Sequence, residues 1–292
     1  PLILEKSPNS KVIMFSTLTE KGANITLKAL SLGAVECLVK PASGEARKGG
    51  AFQTQLLNIV RNLADPAHCK TEQNSQTKTP APSSAASPSS YSLRKNPHDY
   101  KGRPNILAIG SSTGGPQALF EVLSHCKNLN MPIVLTQHMP ATFTKILAKH
   151  ITQHTGLACD EGEEGMPLEN NKVIVAPGGL HMILRQDDNN SVVVHLDDGP
   201  MVNFCKPAVD PMFESLLPIY GRKILAVILT GMGNDGLKAS QKLAEAGCPL
   251  IAQDEKTSIV WGMPGAVAKA GICTAVLPLD QIGPSIQKAA NG

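Results

Sequence analysis

Three side chains suited to acyl-transfer chemistry each follow an apolar run of strand length: Ser112, His138 and Asp235. Ser112 is central in 110–116 (GSSTGGP), which fits the pattern G-x-S-x-G. His138 lies in 136–140 (TQHMP) and Asp235 in 230–236 (TGMGNDG). A serine hydroxyl is a weak nucleophile until a base takes its proton, so a histidine is required. A carboxylate then holds the imidazole in one tautomer and stabilises its charged form. A tight strand-to-helix turn lifts a hydroxyl clear of a sheet, and Pro116 suits the first helical position. Free N–H groups at such a helix start can stabilise a tetrahedral oxyanion. The expected reaction is cleavage of a carboxylic ester or the related side-chain amide. Ser112 is the expected nucleophile, His138 the base and Asp235 the orienting acid.

Each residue taken alone also has a plainer reading. Glycine-serine loops after strands often bind phosphate. A P-loop, however, needs Gly-Lys-Ser/Thr, and here Gly115 is followed by Pro116 and Gln117. The dinucleotide pattern G-x-G-x-x-G is absent too. Asp235 could simply cap the helix that follows it, and His138 could be a satisfied core histidine. His150 and His154 are four apart on a helical pattern, as metal ligands can be, but the glutamate of H-E-x-x-H is missing. They read as a solvated helix face. His125, His181 and His195 have no partner at metal-ligand spacing. No metal site and no cofactor are expected.

The elements that must position the three residues are legible as patterns. The continuous apolar runs 106–109, 133–136 and 224–230 suit strands buried on both faces of a parallel sheet. In such a sheet ligands bind at the carboxyl ends of the strands, which is where Ser112, His138 and Asp235 sit. Helical patterns cover 117–126, 143–154, 237–246 and 267–270. The runs 173–175, 182–184 and 192–196 suggest a strand-rich insertion midway. The expected class is α/β, a mainly parallel doubly wound sheet, occupying 105–292.

Before it, 1–66 alternates strand patterns at 11–15 and 35–39 with helical patterns at 22–32 and 51–63. Residues 67–104 are rich in Ser, Pro, Thr, Lys and Gln and cannot bury enough apolar surface to offset ordering entropy, so they read as a flexible linker. Apolar content is 42% and charged content 17%, a globular balance. The net charge of +3 is spread out and aromatics are 3%, so neither a basic stripe nor a base-stacking surface is present and no nucleic-acid partner is expected. The seven cysteines are scattered without a C-x-x-C, which suits a reducing compartment. No leader opens the chain and no apolar stretch approaches the roughly 18–20 residues that span a bilayer. A cytoplasmic location without membrane insertion is expected. The chain opens with Pro1 and reads as a processed or truncated piece.

Taken together, 109–116 (IGSSTGGP), 136–140 (TQHMP) and 229–236 (LTGMGNDG) resemble the signatures of the chemotaxis protein-glutamate methylesterases, the CheB family. Supporting matches are 175–178 (VAPG), 181–182 (HM), 198–200 (DGP) and 260–264 (VWGMP). The resemblance covers residue 105 to the C-terminus. It implies hydrolysis of γ-glutamyl methyl esters on methyl-accepting chemotaxis receptors with release of methanol, and deamidation of certain receptor glutamines. It implies Ser112, not Ser111, as nucleophile, with backbone N–H groups near Thr113 and Met232 as oxyanion donors. The order Ser, His, Asp differs from that of α/β-hydrolases, so the G-x-S-x-G fit is convergent. In 203–210 (NFCKPAVD), Lys206 stands where relatives often carry Arg, which loses a planar fork.

Residues 1–66 are similar to the second half of a flavodoxin-like response-regulator receiver domain. The resemblance implies phosphoryl-contact roles for Ser16 and Lys40, a cis bond at Lys40–Pro41, and a histidine kinase as partner of a complete receiver in a two-component pathway. The phosphoacceptor aspartate would precede Pro1. The resemblance further implies that a complete receiver covers the active-site mouth until phosphorylated. The rival readings are the same esterase acting on a non-receptor protein and a non-catalytic phosphoryl-binding module.

Overall fold

In the computed structural model, residues 2–17, 19–40, 51–64, 91–94 and 102–291 are described. The chain begins with α1 (Leu2–Lys6), β1 (Ile13–Ser16), α2 (Glu20–Ser31), β2 (Glu36–Val39) and α3 (Ala51–Ala64). Strands β1 and β2 pair in parallel. Thr19 caps α2 by accepting a hydrogen bond from the Gly22 N–H at 3.1 Å. Ala23, Thr26, Leu27 and Leu30 recur at helical spacing and form its buried face.

The larger unit is built on seven strands: β3 (Ile106–Ser111), β4 (Ile133–Gln137), β5 (Ala158–Glu161), β6 (Lys172–Val175), β9 (Ile224–Ile228), β10 (Leu250–Gln253) and β11 (Ala275–Leu277). Their order is β11-β10-β9-β3-β4-β6-β5, and every pair is parallel. Strands β3, β4 and β9 are buried along their whole length, which is why their sequences are apolar without alternation. Side chains still alternate between faces. Leu107 and Ile109 meet α4 (Gly115–Ser124), α5 (Phe143–Thr155) and α9 (Leu279–Asn291) in one core layer. Ile106 and Ala108 meet α6 (Val209–Tyr220), α7 (Leu237–Glu245) and α8 (Met263–Lys269) in the other.

From β3 the chain builds outward on one side through β4, then returns to lay β9 on the other side. The order therefore reverses at β3, and the crevice beyond its carboxyl end is where a doubly wound sheet binds ligands. Between the halves, β7 (His181–Gln186) and β8 (Val192–Asp197) form an antiparallel hairpin that packs Met182, Leu184 and Val194 into the second core layer.

Two expectations change. The run 173–175 belongs to the main sheet as β6, paired with β4, not to a strand-rich insertion. The short strands β5, β10 and β11 and the helices α6 and α9 had no sequence expectation. Pro218 lies inside α6 and Pro284 inside α9, and proline removes a helix donor, so the patterns resemble broken segments. Within 67–104, the described residues 91–94 are anchored, not loose. Arg94 donates to the carbonyls of Ala244 (2.7 Å) and Cys248, and its N–H to Cys273 O at 2.8 Å. Tyr91 packs at 6.1 Å from the Trp261 ring. The expected cis bond at Lys40–Pro41 falls outside the described residues; a cis bond occurs instead at Lys206–Pro207.

Candidate active site

The register of β3 against β4 pairs Ser111 with Gln137, so Ser112 and His138 leave the sheet side by side. Backbone bonds then tie three loops together. The His138 N–H donates to Ser111 O at 3.1 Å, and the Ser112 N–H donates to Thr230 O at 3.0 Å. The Asp235 loop, entered through Thr230, is thereby fastened to the Ser112 loop.

The neighbouring serines are held differently. Ser111 is fully buried, and its hydroxyl donates to Gln137 Oε1 at 2.7 Å. Gln137 Nε2 in turn donates to Ser112 O at 2.9 Å. Ser112 is partly exposed, and its hydroxyl bonds to no described residue. Two glycines make room. A Cβ on Gly115 would lie 1.9 Å from Gln137 Oε1, and one on Gly231 would lie 2.7 Å from the Ser112 Cβ. The Thr113 and Met232 N–H groups donate to no described residue.

His138 Nε2 lies 2.7 Å from Asp235 Oδ2. Asp235 is buried, and its carboxylate is saturated with donors. Oδ2 also accepts from Val209 N (2.6 Å), and Oδ1 accepts from Asn203 Nδ2 (2.8 Å), Gly236 N (2.9 Å) and Asp210 N (3.3 Å). Burial pushes the Asp235 carboxyl up, but the His138 bond and charge with the Val209 and Asn203 donors outweigh it and hold it below the ordinary value. Burial pulls the His138 imidazole down, but Asp235 and the Cys205 thiol more than offset this and leave it raised to about 9. Both directions describe one ion pair. With Nε2 committed to Asp235, only Nδ1 can take a proton from a substrate-side group. Nδ1 now faces Cys205 Sγ at 3.3 Å.

Several residues here escaped the sequence reading. Asn203 donates to both Asp235 and Asp210 Oδ2 (3.0 Å), separating two carboxylates that would otherwise repel. Burial raises the Asp210 carboxyl, and its Oδ1 accepts from Ala239 N in the first turn of α7. His181, buried, accepts from Ala208 N at Nδ1 (3.1 Å) and donates from Nε2 to Pro200 O (3.0 Å), so it braces both ends of the loop bearing Asn203 and Cys205. The sequence signal lies in 203–210, which carries Asn203, Cys205 and Asp210 beside Lys206. Lys206 makes a single-point contact with the Asp198 carboxylate and carbonyl, remote from any fork geometry.

The other expected positions separate clearly. Ser16 Oγ donates to Thr17 O, and Lys40 reaches Ser16 only through its backbone N–H, at 2.7 Å from Ser16 O. His154 stacks on Phe120 with centroids 4.5 Å apart, so that helix face is not merely solvated. Among the described residues no group of three or more His, Cys, Asp or Glu side chains could hold a metal ion.

Comparison with known proteins places this geometry in context. The family described as CheB methylesterase matches residues 107–286. A protein-glutamate methylesterase/protein-glutamine glutaminase of the group 2 operon of Rhodospirillum centenum is 45% identical, covering 99% of this chain and 77% of its own length. The protein-glutamate methylesterase/protein-glutamine glutaminase of Azospirillum brasilense is 47% identical, covering 100% of this chain and 76% of its own. The crystal structure of the Thermotoga maritima CheB methylesterase catalytic domain superposes with a TM-score of 0.61 at 38% identity, covering 63% of this chain and 98% of that domain.

Proposed function

The chain belongs to the CheB methylesterase family, and from that premise we propose that it hydrolyses glutamate γ-methyl esters, and deamidates glutamines, of chemotaxis receptors through a covalent relay of Ser112, His138 and Asp235. The observation that carries the relay is the 2.7 Å bond between His138 and a buried, donor-saturated Asp235, one residue beyond the register pair that sets His138 beside Ser112.

The ester carbonyl approaches Ser112 from the open end of the sheet. As the Ser112 oxygen attacks, its proton passes to His138 Nδ1, with Cys205 yielding that nitrogen. The imidazolium is stabilised by Asp235, which stays ionised. The Thr113 and Met232 N–H groups receive the oxyanion. Nδ1 returns the proton to the departing methoxide, methanol leaves, and a glutamyl–serine ester remains. Water, deprotonated at Nδ1, then releases the glutamate carboxylate and restores Ser112. With a glutamine substrate, ammonia leaves in place of methanol.

The division into a receiver-like part at 1–66, a connecting segment at 67–104 and a catalytic part at 105–292 belongs to this reading. So do the roles of Ser16 and Lys40 and a histidine kinase as partner. Among the described residues no helix is long and apolar enough to cross a membrane. The test is methanol release from methylated receptor membranes, wild type against Ser112→Ala. Turnover retained by the variant would exclude Ser112 as nucleophile.

A further inference from the structure

One tight turn delivers side chains to both ends of the His138–Asp235 pair. Val202 and Cys205 exchange backbone hydrogen bonds of 2.9 and 3.1 Å. The central residues Asn203 and Phe204 have φ of 51° and 62°, the sign a type I′ turn demands. Asn203 suits that conformation and reaches Asp235. Cys205 closes the turn with Sγ 3.3 Å from His138 Nδ1.

The result is a hydrogen-bonded series on the same base. A thiol, an imidazole and a buried carboxylate stand in the order nucleophile, base and orienting group. Cys205 is half-buried, beside a Phe204 that is 95% exposed. The other described cysteines differ. Cys126, Cys159, Cys248 and Cys273 are buried, and burial pushes the Cys37, Cys126 and Cys273 thiols up to about 12. None of them bonds to a histidine among the described residues.

We propose that Cys205 is a covalent modification site for small disulfides, activated by His138, and that its modification stops the hydrolase. In the first step His138 Nδ1 takes the thiol proton. The Cys205 thiolate attacks one sulfur of R–S–S–R, forming a Sγ–S bond as the original S–S bond breaks. The leaving thiolate takes the proton from Nδ1 and departs as R–SH. Cys205 is oxidised and one R–S group reduced, so electrons and protons balance. The mixed disulfide then stands against the nitrogen that Ser112 needs. The loss of turnover rests on the reading of His138 as base; the adduct itself does not.

The test uses the full chain with Cys69→Ser, because Cys69 lies outside the described residues, and 2,2′-dipyridyl disulfide as probe. Peptide mapping is expected to find the first adduct on Cys205. Methanol release falls in step with that adduct and returns with dithiothreitol. Cys205→Ala keeps whatever rate it starts with after the same treatment. His138→Ala slows labelling of Cys205 at least about tenfold, the loss of a general base. A first adduct on any other cysteine, undiminished labelling in His138→Ala, or methanol release that survives complete Cys205 modification overturns the proposal. An untreated parent that releases no methanol refutes the esterase reading instead, and the adduct position and the His138→Ala rate still decide the modification site.

Discussion

At the scale of single residues, the decisive feature is an imidazole with its two nitrogens assigned different work. In the proposed relay His138 must be neutral at Nδ1 to accept the Ser112 proton, and its pKa is raised from 6.5 to about 9. The profile of kcat/KM is therefore expected to climb with pH and level off only near pH 9; a plateau already reached near pH 6.5 would refute this coupling. The same pair links stability to pH. A raised imidazole pKa stabilises fully below 6.5, and that contribution is lost as pH rises through about 9. The lowered Asp235 pKa stabilises above 3.8 and is lost as pH falls through its folded value. Thermal unfolding across pH should show both slopes, and Asp235→Asn should flatten them. The two serines separate by environment. Ser112→Ala should lose methanol release by roughly 10³-fold or more. Ser111→Ala removes a buried hydrogen bond to Gln137, so it should cost about 1–2 kcal/mol of stability while leaving the larger part of the activity.

At the scale of elements, the strand tips present the reacting groups and the 202–205 turn steadies them. Asn203 keeps Asp235 and Asp210 apart while occupying a positive φ that glycine also accepts. Asn203→Gly thus preserves the turn and removes only the amide. Its kcat is expected to fall about 10–100-fold, the scale of losing a group that orients another. An unchanged kcat would reduce Asn203 to a turn former. The Ser112 loop depends on Gly115 in a different way. A methyl group there meets Gln137 Oε1 at 1.9 Å, so Gly115→Ala should lower the urea midpoint by the equivalent of about 1–3 kcal/mol.

At the scale of the whole molecule, described residues of α2, β2 and α3 lean on the larger unit near the Ser112 loop. Gln117 Nε2 donates to Leu30 O at 2.7 Å and also to Ala34 O, and Asn62 of α3 touches Met232 Sδ at 2.9 Å. Glu36 on β2 lies where burial raises its carboxyl pKa, with the Thr113 hydroxyl and the His138 charge partly offsetting this. The exposed Lys149–Glu20 pair at 3.9 Å adds little. The Asn62 and Glu36 contacts touch Met232 and Thr113, the residues proposed to hold the oxyanion, so a receiver-like part in this position is expected to restrain turnover. Deleting 1–90, which spares the Tyr91–Arg94 anchor, is expected to raise kcat/KM on methylated receptor membranes. An unchanged value would rule out restraint by this part.

The strands β3, β4 and β9 were legible because burial on both faces leaves an apolar run that no turn chemistry interrupts. Ser112, His138 and Asp235 stood out as candidates because each follows such a run, Ser112 and Asp235 in glycine-bearing loops, and local chemistry names their types. Short strands such as β10 and β11, and helices interrupted by Pro218 and Pro284, were not, since their stability comes from neighbours and not from their own pattern. Nor could spacing show which imidazole nitrogen meets Asp235, that Asn203 bridges two carboxylates, or that Cys205 stands against Nδ1. Those contacts join residues between 7 and 97 positions apart, and the folded chain brings them within hydrogen-bond range.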